Sequence, residues 1–333
     1  MKKRFESIDG VSEVLISGGS QKEILVEFDS EKSAAALQNA ARRLGENYTA
    51  QKLFDLSVGE RLPDREEIIE IVNELRKLTF PGFFGAENMA YVSKEAYADS
   101  RLGLLYEKLF RQFKVAFSYG NQTESYSEIK AKAQEKALEF VSRLPEIQDW
   151  VLDDVDAEYE GDPAANSREE VIFSYPGLYA IFVYRYAHVL YEMQIPFIPR
   201  IMTEYAHGKT GIDINPGATI GRHFFIDHGT GIVIGETTEI GNNVKIYQGV
   251  TLGALSTRKG QQLSGKKRHP TIEDNVVIYS NTTVLGGATV IGANSVIAGN
   301  TFIIESVPPY TKVSSTMPAL EIRQGKPAAE LPE

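Results

Sequence analysis

The chain of 333 residues is 42% apolar, enough for a sizeable core in one large or two medium domains. It has no cysteine, which excludes disulfides, thiolate metal ligands and a thiol nucleophile, and fits a reducing compartment. Its net charge of −10 argues against general nucleic-acid binding.

The opening MKKRFESIDG is basic, but no long apolar run follows it. Neither a signal peptide nor a membrane span is expected, and a cytoplasmic protein is. Within residues 1–30, VLISGGSQKEILVEF fits a small hairpin turning at Gly18–Gly19, with a frayed arm as the alternative. From about residue 30 to 205 the apolar spacing is helical. In DREEIIEIVNELRKL, Ile68, Ile71, Val72 and Leu75 fall at i, i+3, i+4 and i+7, and Asp64 with Glu67 fits a capping box. SEIKAKAQEKALEFVSRL (127–144) is rich in strong helix formers. Pro145 is expected to start the next helix and Gly161 to stop it. A further helix is expected from near Gly177 to Met193, ahead of Pro196 and Pro199.

From about residue 212 the period changes to six. Ile214, Ile220, Ile226, Ile232, Thr238, Val244 and Val250 share one register, and Ile272, Ile278, Val284, Val290, Val296 and Phe302 share a second. Twelve of these thirteen residues are aliphatic or aromatic, against about a third expected by chance. Gly217, Gly221, Gly235, Gly241, Gly286 and Gly292 punctuate the spaces. This is the hexapeptide-repeat β-helix: each hexad gives a short strand and a turn, three hexads make a triangular coil, and the repeated aliphatic residue points to the axis. Four to five coils follow. A β-sandwich would show a period of two instead. TLGALSTRKGQQLSGKKRHP (251–270) lacks the register and reads as a loop thrown out from the prism. Arg258, Lys259, Lys266, Lys267 and Arg268 make it basic, with no acid among them. Such a cluster can hold a small anion although the whole chain is acidic. The organisation expected is a mainly α-helical domain over 1–205, a β-helix over 206–320 with a protruding loop at 251–271, and a tail at 321–333.

IDINPGATIG, FIDHGTGIVIGE, VTLGA, KKRHPTIED and SVPPYT, spread over about 212–312, resemble the serine acetyltransferase family. EGDPAAN and AIFVYRYAHVL, at 160–190, resemble the end of that family's helical domain. Hexapeptide repeats are shared with sugar acyltransferases; DHGTG followed by RHP across a protruding loop is far more specific. The resemblance implies an α+β multi-domain chain, an N-terminal all-α domain followed by a left-handed parallel β-helix, an exception to right-handed crossovers. It also implies acetyl-CoA as donor, L-serine as acceptor, and a trimer with active sites between neighbours, paired into hexamers by the helical domains. No metal is expected.

Acetyl transfer to an alcohol needs a base for the hydroxyl proton, and imidazole suits that work near neutral pH. With no cysteine, direct attack by the acceptor is the simplest route. Among His188, His207, His223, His228 and His269, the resemblance assigns the base to His228. It assigns ring orientation to Asp213 rather than the adjacent Asp227. Fifteen residues is nearly one coil, so Asp213 can neighbour His228, whereas adjacent strand residues point to opposite sides. By the same resemblance Asp227 and Asp162 hold the serine ammonium, and Arg268 and His269 its carboxylate end, where a planar guanidinium fork is suited. Asp162 also has a purely structural alternative, as an N-cap before Pro163. Gly253, Ala254, Ser280 and Ala298 are the expected contacts of the pantetheine arm, and Lys266, Lys267 and Arg258 of the CoA phosphates, with a solvated loop as the alternative for the lysines. His188 and Arg185 are expected in packing or an interface.

The sequence departs from the family pattern in a longer stretch between DH and RHP, in TLGA for the usual TLGG, and in Tyr279–Ser280 at a turn where small residues are usual. It ends in GKPAAELPE rather than the isoleucine with which many members dock a sulfhydrylase, so no stable complex of that kind is expected. Inhibition by cysteine at the serine site is implied. Competing readings are another acetyl acceptor such as homoserine or a sugar, a zinc lyase recruiting His223, His228 and His269, and a β-helix without chemistry, which leaves DH and RHP unexplained.

Overall fold

The computed structural model describes residues 11–16, 24–28, 30–48, 61–85, 93–121, 123–256, 258 and 260–315. The chain divides into two compact units, 1–61 and 62–333. In the first, β1 (Val11–Ile16) pairs antiparallel with β2 (Ile24–Phe28), and α1 (Ser30–Asn47) follows. The pairing is that of the expected hairpin; its Gly18–Gly19 turn lies outside the described residues, as do the ends of the chain before 11 and after 315. No helix among the described residues is long and apolar enough to cross a membrane.

The second unit opens with α2 (Arg65–Thr79), α3 (Lys94–Ser118), α4 (Tyr126–Gly161), α5 (Arg168–Ser174), α6 (Pro176–Glu192) and α7 (Ile198–Thr210). Asp64 caps α2, its carboxylate accepting from the Glu66 and Glu67 N–H groups. The reciprocal half of the expected capping box is made by Gln112, which accepts the Asp64 N–H at 2.8 Å. Pro145 does not start a helix: α4 runs through it. The missing N–H costs one helical bond, while Phe140, Leu144, Ile147 and Val151 are buried on both sides of it and hold the segment in one rod. Gly161 ends α4 as expected, and Gly211 in the left-handed conformation ends α7.

The rest is a parallel β-helix. Its coils are β3 (Asp213–Ile214), β4 (Thr219–Ile220) and β5 (Phe225–Asp227); β6 (Val233–Ile234), β7 (Glu239–Ile240) and β8 (Lys245–Tyr247); β9 (Thr251–Gly253), β10 (Thr271–Ile272) and β11 (Val277–Ile278); β12 (Thr283–Leu285), β13 (Val290–Ile291) and β14 (Val296–Ile297); then β15 (Phe302–Ile303) and β16 (Lys312–Val313). Equivalent strands stack into three parallel sheets, in orders β15-β12-β9-β6-β3, β13-β10-β7-β4 and β16-β14-β11-β8-β5.

The axis-facing row is Ile214, Ile220, Ile226, Ile234, Ile240, Ile246, Leu252, Ile272, Ile278, Val284, Ile291, Ile297 and Ile303, all buried. The period of six therefore slips twice. Ile234 stacks on Ile214 and Leu252, so the step from Ile226 to Ile234 is eight rather than six. Ile232, Thr238, Val244 and Val250, expected in the axial row, form a second buried row two residues ahead of it. After Val284 the Gly286–Gly287 turn adds one residue, so Ile291 rather than Val290 faces inward and Phe302 is 68% exposed. The loop leaves only after β9, whose Leu252 is fully buried.

The first coil would present an open strand edge, a liability for any sheet. Side chains of α4 and α6 occupy it. Tyr184 Oη donates to the Ala218 carbonyl at 2.6 Å, Arg185 to those of Ile220 and Gly221 at 2.6 Å each, and His188 Nδ1 lies 2.8 Å from that of Pro216. Asp154 and Glu158, one helical turn apart, accept the N–H groups of Phe224 and Ile226 at 3.0 and 3.2 Å. Asp154 also holds Arg185 through two 2.9 Å bonds. Arg185 and His188, expected in packing, thus seal the start of the solenoid.

Candidate active site

The two residues added between Ile226 and Ile234 swell one corner of the prism. β5 ends at Asp227; His228, Gly229 and Gly231 then adopt φ values of 55°, 82° and 81°. Left-handed backbone is uncommon for a non-glycine residue and is tolerated where the surroundings fix it. Gly229 is obligatory, since a Cβ there would lie 2.4 Å from Ile212 Cδ1. The corner lifts the His228 imidazole out of the coil to 73% exposure, with Nδ1 3.5 Å from Asp227 Oδ1.

Asp162 reaches this corner from the C-cap of α4. Its Oδ1 accepts the Ala164 N–H at 2.8 Å and its Oδ2 the Tyr175 hydroxyl at 2.5 Å. The Tyr175 bond, then the Ala164 bond and the nearby His228, hold the Asp162 carboxyl below its ordinary range. Burial, reinforced by Asp162, pushes the Tyr175 phenol up, so it serves as a donor. The N-cap role considered for Asp162 gives way to this turn. Tyr247 lies in the field of Asp227 and Asp162 and stacks on Tyr279 with ring centroids 5.0 Å apart. Asp162, Asp227 and His228 therefore assemble in one chain.

Asp213 does not join them by a hydrogen bond or ion pair. It faces Arg200 at 4.0 Å and clusters with Glu204 and His207, their ligand atoms within 4.8 Å of one another. Nδ1 of His228 faces Asp227, the adjacent acid that the resemblance passes over in favour of Asp213. Alternation along a strand does not apply, because the strand stops at Asp227 and the positive φ of His228 turns its ring back.

Arg268 and His269 sit on a different corner, between the faces carrying β6 and β7. The His269 Nδ1 accepts the Thr237 N–H at 3.0 Å and lies 2.9 Å from Thr237 Oγ1. The ring is thereby a neutral Nε2–H donor. Burial and the adjacent Arg268 charge take its pKa down to about 4. Gly235 makes room for it, since a Cβ there would lie 2.1 Å from His269 Cδ2. Arg268 pairs with Glu236, which also accepts the Tyr191 hydroxyl at 3.3 Å. Lys267 Nζ donates to the Thr237 carbonyl at 2.7 Å and lies 3.1 Å from Glu239. Lys266 is exposed.

Of the thioester-arm residues, Gly253 and Ala254 lie at the Arg268 corner, whereas Ser280 and Ala298 lie on successive coils at the His228 corner. All four are half-buried and small, so both corners leave backbone accessible to a slender chain. His223 sits on the third corner with Glu160 at 3.4 Å, so His223, His228 and His269 do not converge within one chain. Sequence reasoning missed Tyr175, Glu236 and Thr237. Tyr175 had one available signal, its place immediately before the Pro176 that opens α6.

The chain is 44% identical over 227 residues to the plasmid-encoded serine acetyltransferase of Synechococcus elongatus, covering 66% of this chain and 71% of that one. It is 53% identical over 126 residues to the serine acetyltransferase of Bacillus subtilis, covering 38% of this chain and 55% of that one. Among solved structures it is similar to Entamoeba histolytica serine acetyltransferase isoform 3 in complex with cysteine, with a TM-score of 0.65 and 35% identity over 77% of this chain and 84% of that one. Serine acetyltransferase 1 of the same organism, in complex with L-cysteine, gives a TM-score of 0.65 and 33% identity over 84% of this chain and all of that one. No protein-family model matches. On its identity to relatives that it spans over more than two thirds of their length, the chain belongs to the serine acetyltransferase family.

Proposed function

We propose that this protein is a serine O-acetyltransferase, moving the acetyl group of acetyl-CoA to the hydroxyl of L-serine to give O-acetylserine and CoA. The observation that carries the assignment is the swollen corner at 228–231, where an exposed imidazole stands beside Asp227 and Asp162. His228 takes the serine hydroxyl proton as the oxygen attacks the thioester carbon. The tetrahedral intermediate then expels the CoA thiolate, and the imidazolium returns the proton to sulfur. The free enzyme carries no covalent acyl group at any stage. Asp162 and Asp227 bind the serine ammonium; as Asp227 turns to it, Asp213 orients the His228 ring. Arg268 and the neutral His269 hold the serine carboxylate. Gly253, Ala254, Ser280 and Ala298 line the pantetheine arm, and Lys266 and Lys267 meet the phosphates.

Two half-sites on different corners of one prism support a complete site formed between neighbouring copies, in a trimer or a dimer of trimers. The two Entamoeba relatives hold cysteine, and the shared site chemistry supports cysteine as a competitor of serine here. The test of the activity is thiol release from acetyl-CoA, compared among L-serine, homoserine and sugars. Release with L-serine alone is expected, and preference for another acceptor rejects the assignment.

A further inference from the structure

Glu158 is fully buried on α4, yet no cation among the described residues forms an ion pair with it. Its Oε1 accepts the Ile226 N–H at 3.2 Å, and its Oε2 has no hydrogen-bond partner. The buried Arg185 guanidinium of α6 is committed to Asp154, one turn before Glu158 on α4. The charges that act most strongly on Glu158 are those of acids: Asp154, Asp227 and Asp162. Room for it is built in, since a Cβ at Gly177 would come 2.9 Å from Glu158 Oε1 and 2.4 Å from the Ile226 carbonyl. The strand it grips continues directly into Asp227 and His228.

We propose that Glu158 is a positioning residue for the acetyl transfer, anchoring Ile226 so that the Asp227–His228 corner is held at the height its chemistry requires. The inference rests on the serine acetyltransferase assignment and deepens it. Burial, with the three acids adding to it, pushes the Glu158 carboxyl well above the usual range. It is thus a neutral acid, accepting through Oε1 and carrying its proton on Oε2. That leaves two negative charges, those of Asp162 and Asp227, to meet one ammonium; an ionised Glu158 would add a third beneath them.

Three measurements test it on the full chain. Glu158→Ala removes the anchor and lowers kcat by about 100-fold, the scale of a misplaced catalytic group, with the KM for acetyl-CoA unchanged. Glu158→Gln, neutral and of the same shape, recovers most of the loss and leaves the acid limb of the pH–rate profile in place. An infrared difference between wild type and Glu158→Gln at neutral pH shows the carbonyl band of a protonated carboxyl, and this readout stands even if Glu158→Ala does not fold. Full kcat in Glu158→Ala, no rescue by Glu158→Gln, or a carboxylate band overturns the proposal. Absence of serine-dependent thiol release from wild type instead overturns the assignment, and the role in transfer with it, while the infrared band still reports the anchor.

Discussion

Arg185 and Asp154 meet through two 2.9 Å hydrogen bonds, both side chains almost wholly shielded from solvent, at the seam between α4, α6 and the first coil. Deleting one partner leaves the other charge buried alone, at a cost of about 3–5 kcal/mol. Arg185→Ala or Asp154→Ala is therefore expected to lower the melting temperature sharply. The Arg185 guanidinium lies 5.1 Å from the ring of Trp150, the sole tryptophan. Trp fluorescence in a denaturant titration follows the loss, and an unchanged midpoint in either variant contradicts it.

His228→Ala and His269→Gln are expected to leave different kinetic signatures. Replacing His228 by Ala removes the base and lowers kcat by about 10²–10⁴-fold. His269 titrates only near 4, so His269→Gln is expected to weaken serine binding without moving the acid limb of the profile above pH 5. A displaced limb in His269→Gln would reassign the base.

The depressed His269 pKa also sets a stability slope. The unfolded ring binds a proton below about 6.5 and the folded ring only below about 4, so the unfolded state holds more protons between them. Stability is complete above the unfolded value and is lost as the pH falls from about 6.5 to about 4. The part due to His269 is on the order of 2 kcal/mol. Denaturation of wild type and His269→Gln at pH 7 and pH 4.5 measures it: the gap between them should narrow at the lower pH.

Gly235→Ala tests the Arg268 corner by steric means alone. The new methyl would overlap the His269 ring, so the ring must leave Thr237. A higher KM for serine is expected, with a stability loss of about 1–3 kcal/mol for overpacking. An unchanged KM would show that His269 does not need that position.

The three acids should separate kinetically. Asp162→Asn and Asp227→Asn are expected to raise the KM for serine by about tenfold or more, as each removes a charge-assisted bond. Asp213→Asn is expected to lower kcat instead. Steady-state kinetics with varied serine decides, and a kcat effect confined to Asp227→Asn would give ring orientation to the adjacent acid.

The sequence carried the architecture at the level of period and lost it at the level of register. Ile232, Thr238, Val244 and Val250 continue the six-residue spacing of Ile226, yet they belong to the other buried row. Two rows of small and aliphatic residues, offset by two, look alike until strands are paired. Pro145 misled because a local rule about one N–H was outweighed by a continuous buried face. At the site, DHGTG and GDP named the residues that converge, because their chemistry is concentrated in short motifs. Glu158 was invisible, and Tyr175 was marked only by the Pro176 that follows it, since their roles exist only once α4 and α6 lie across β5 and the 228–231 corner.

A solenoid whose first coil is sealed by helices has a direction. Six backbone groups of that coil are committed to Tyr184, Arg185, His188, Asp154 and Glu158. Cut free of α4 and α6, the same coils would begin with an adhesive rim, ready to accept another strand end to end. The helices are in that sense a stopper against polymerisation, and the same stopper carries Asp162 to the imidazole.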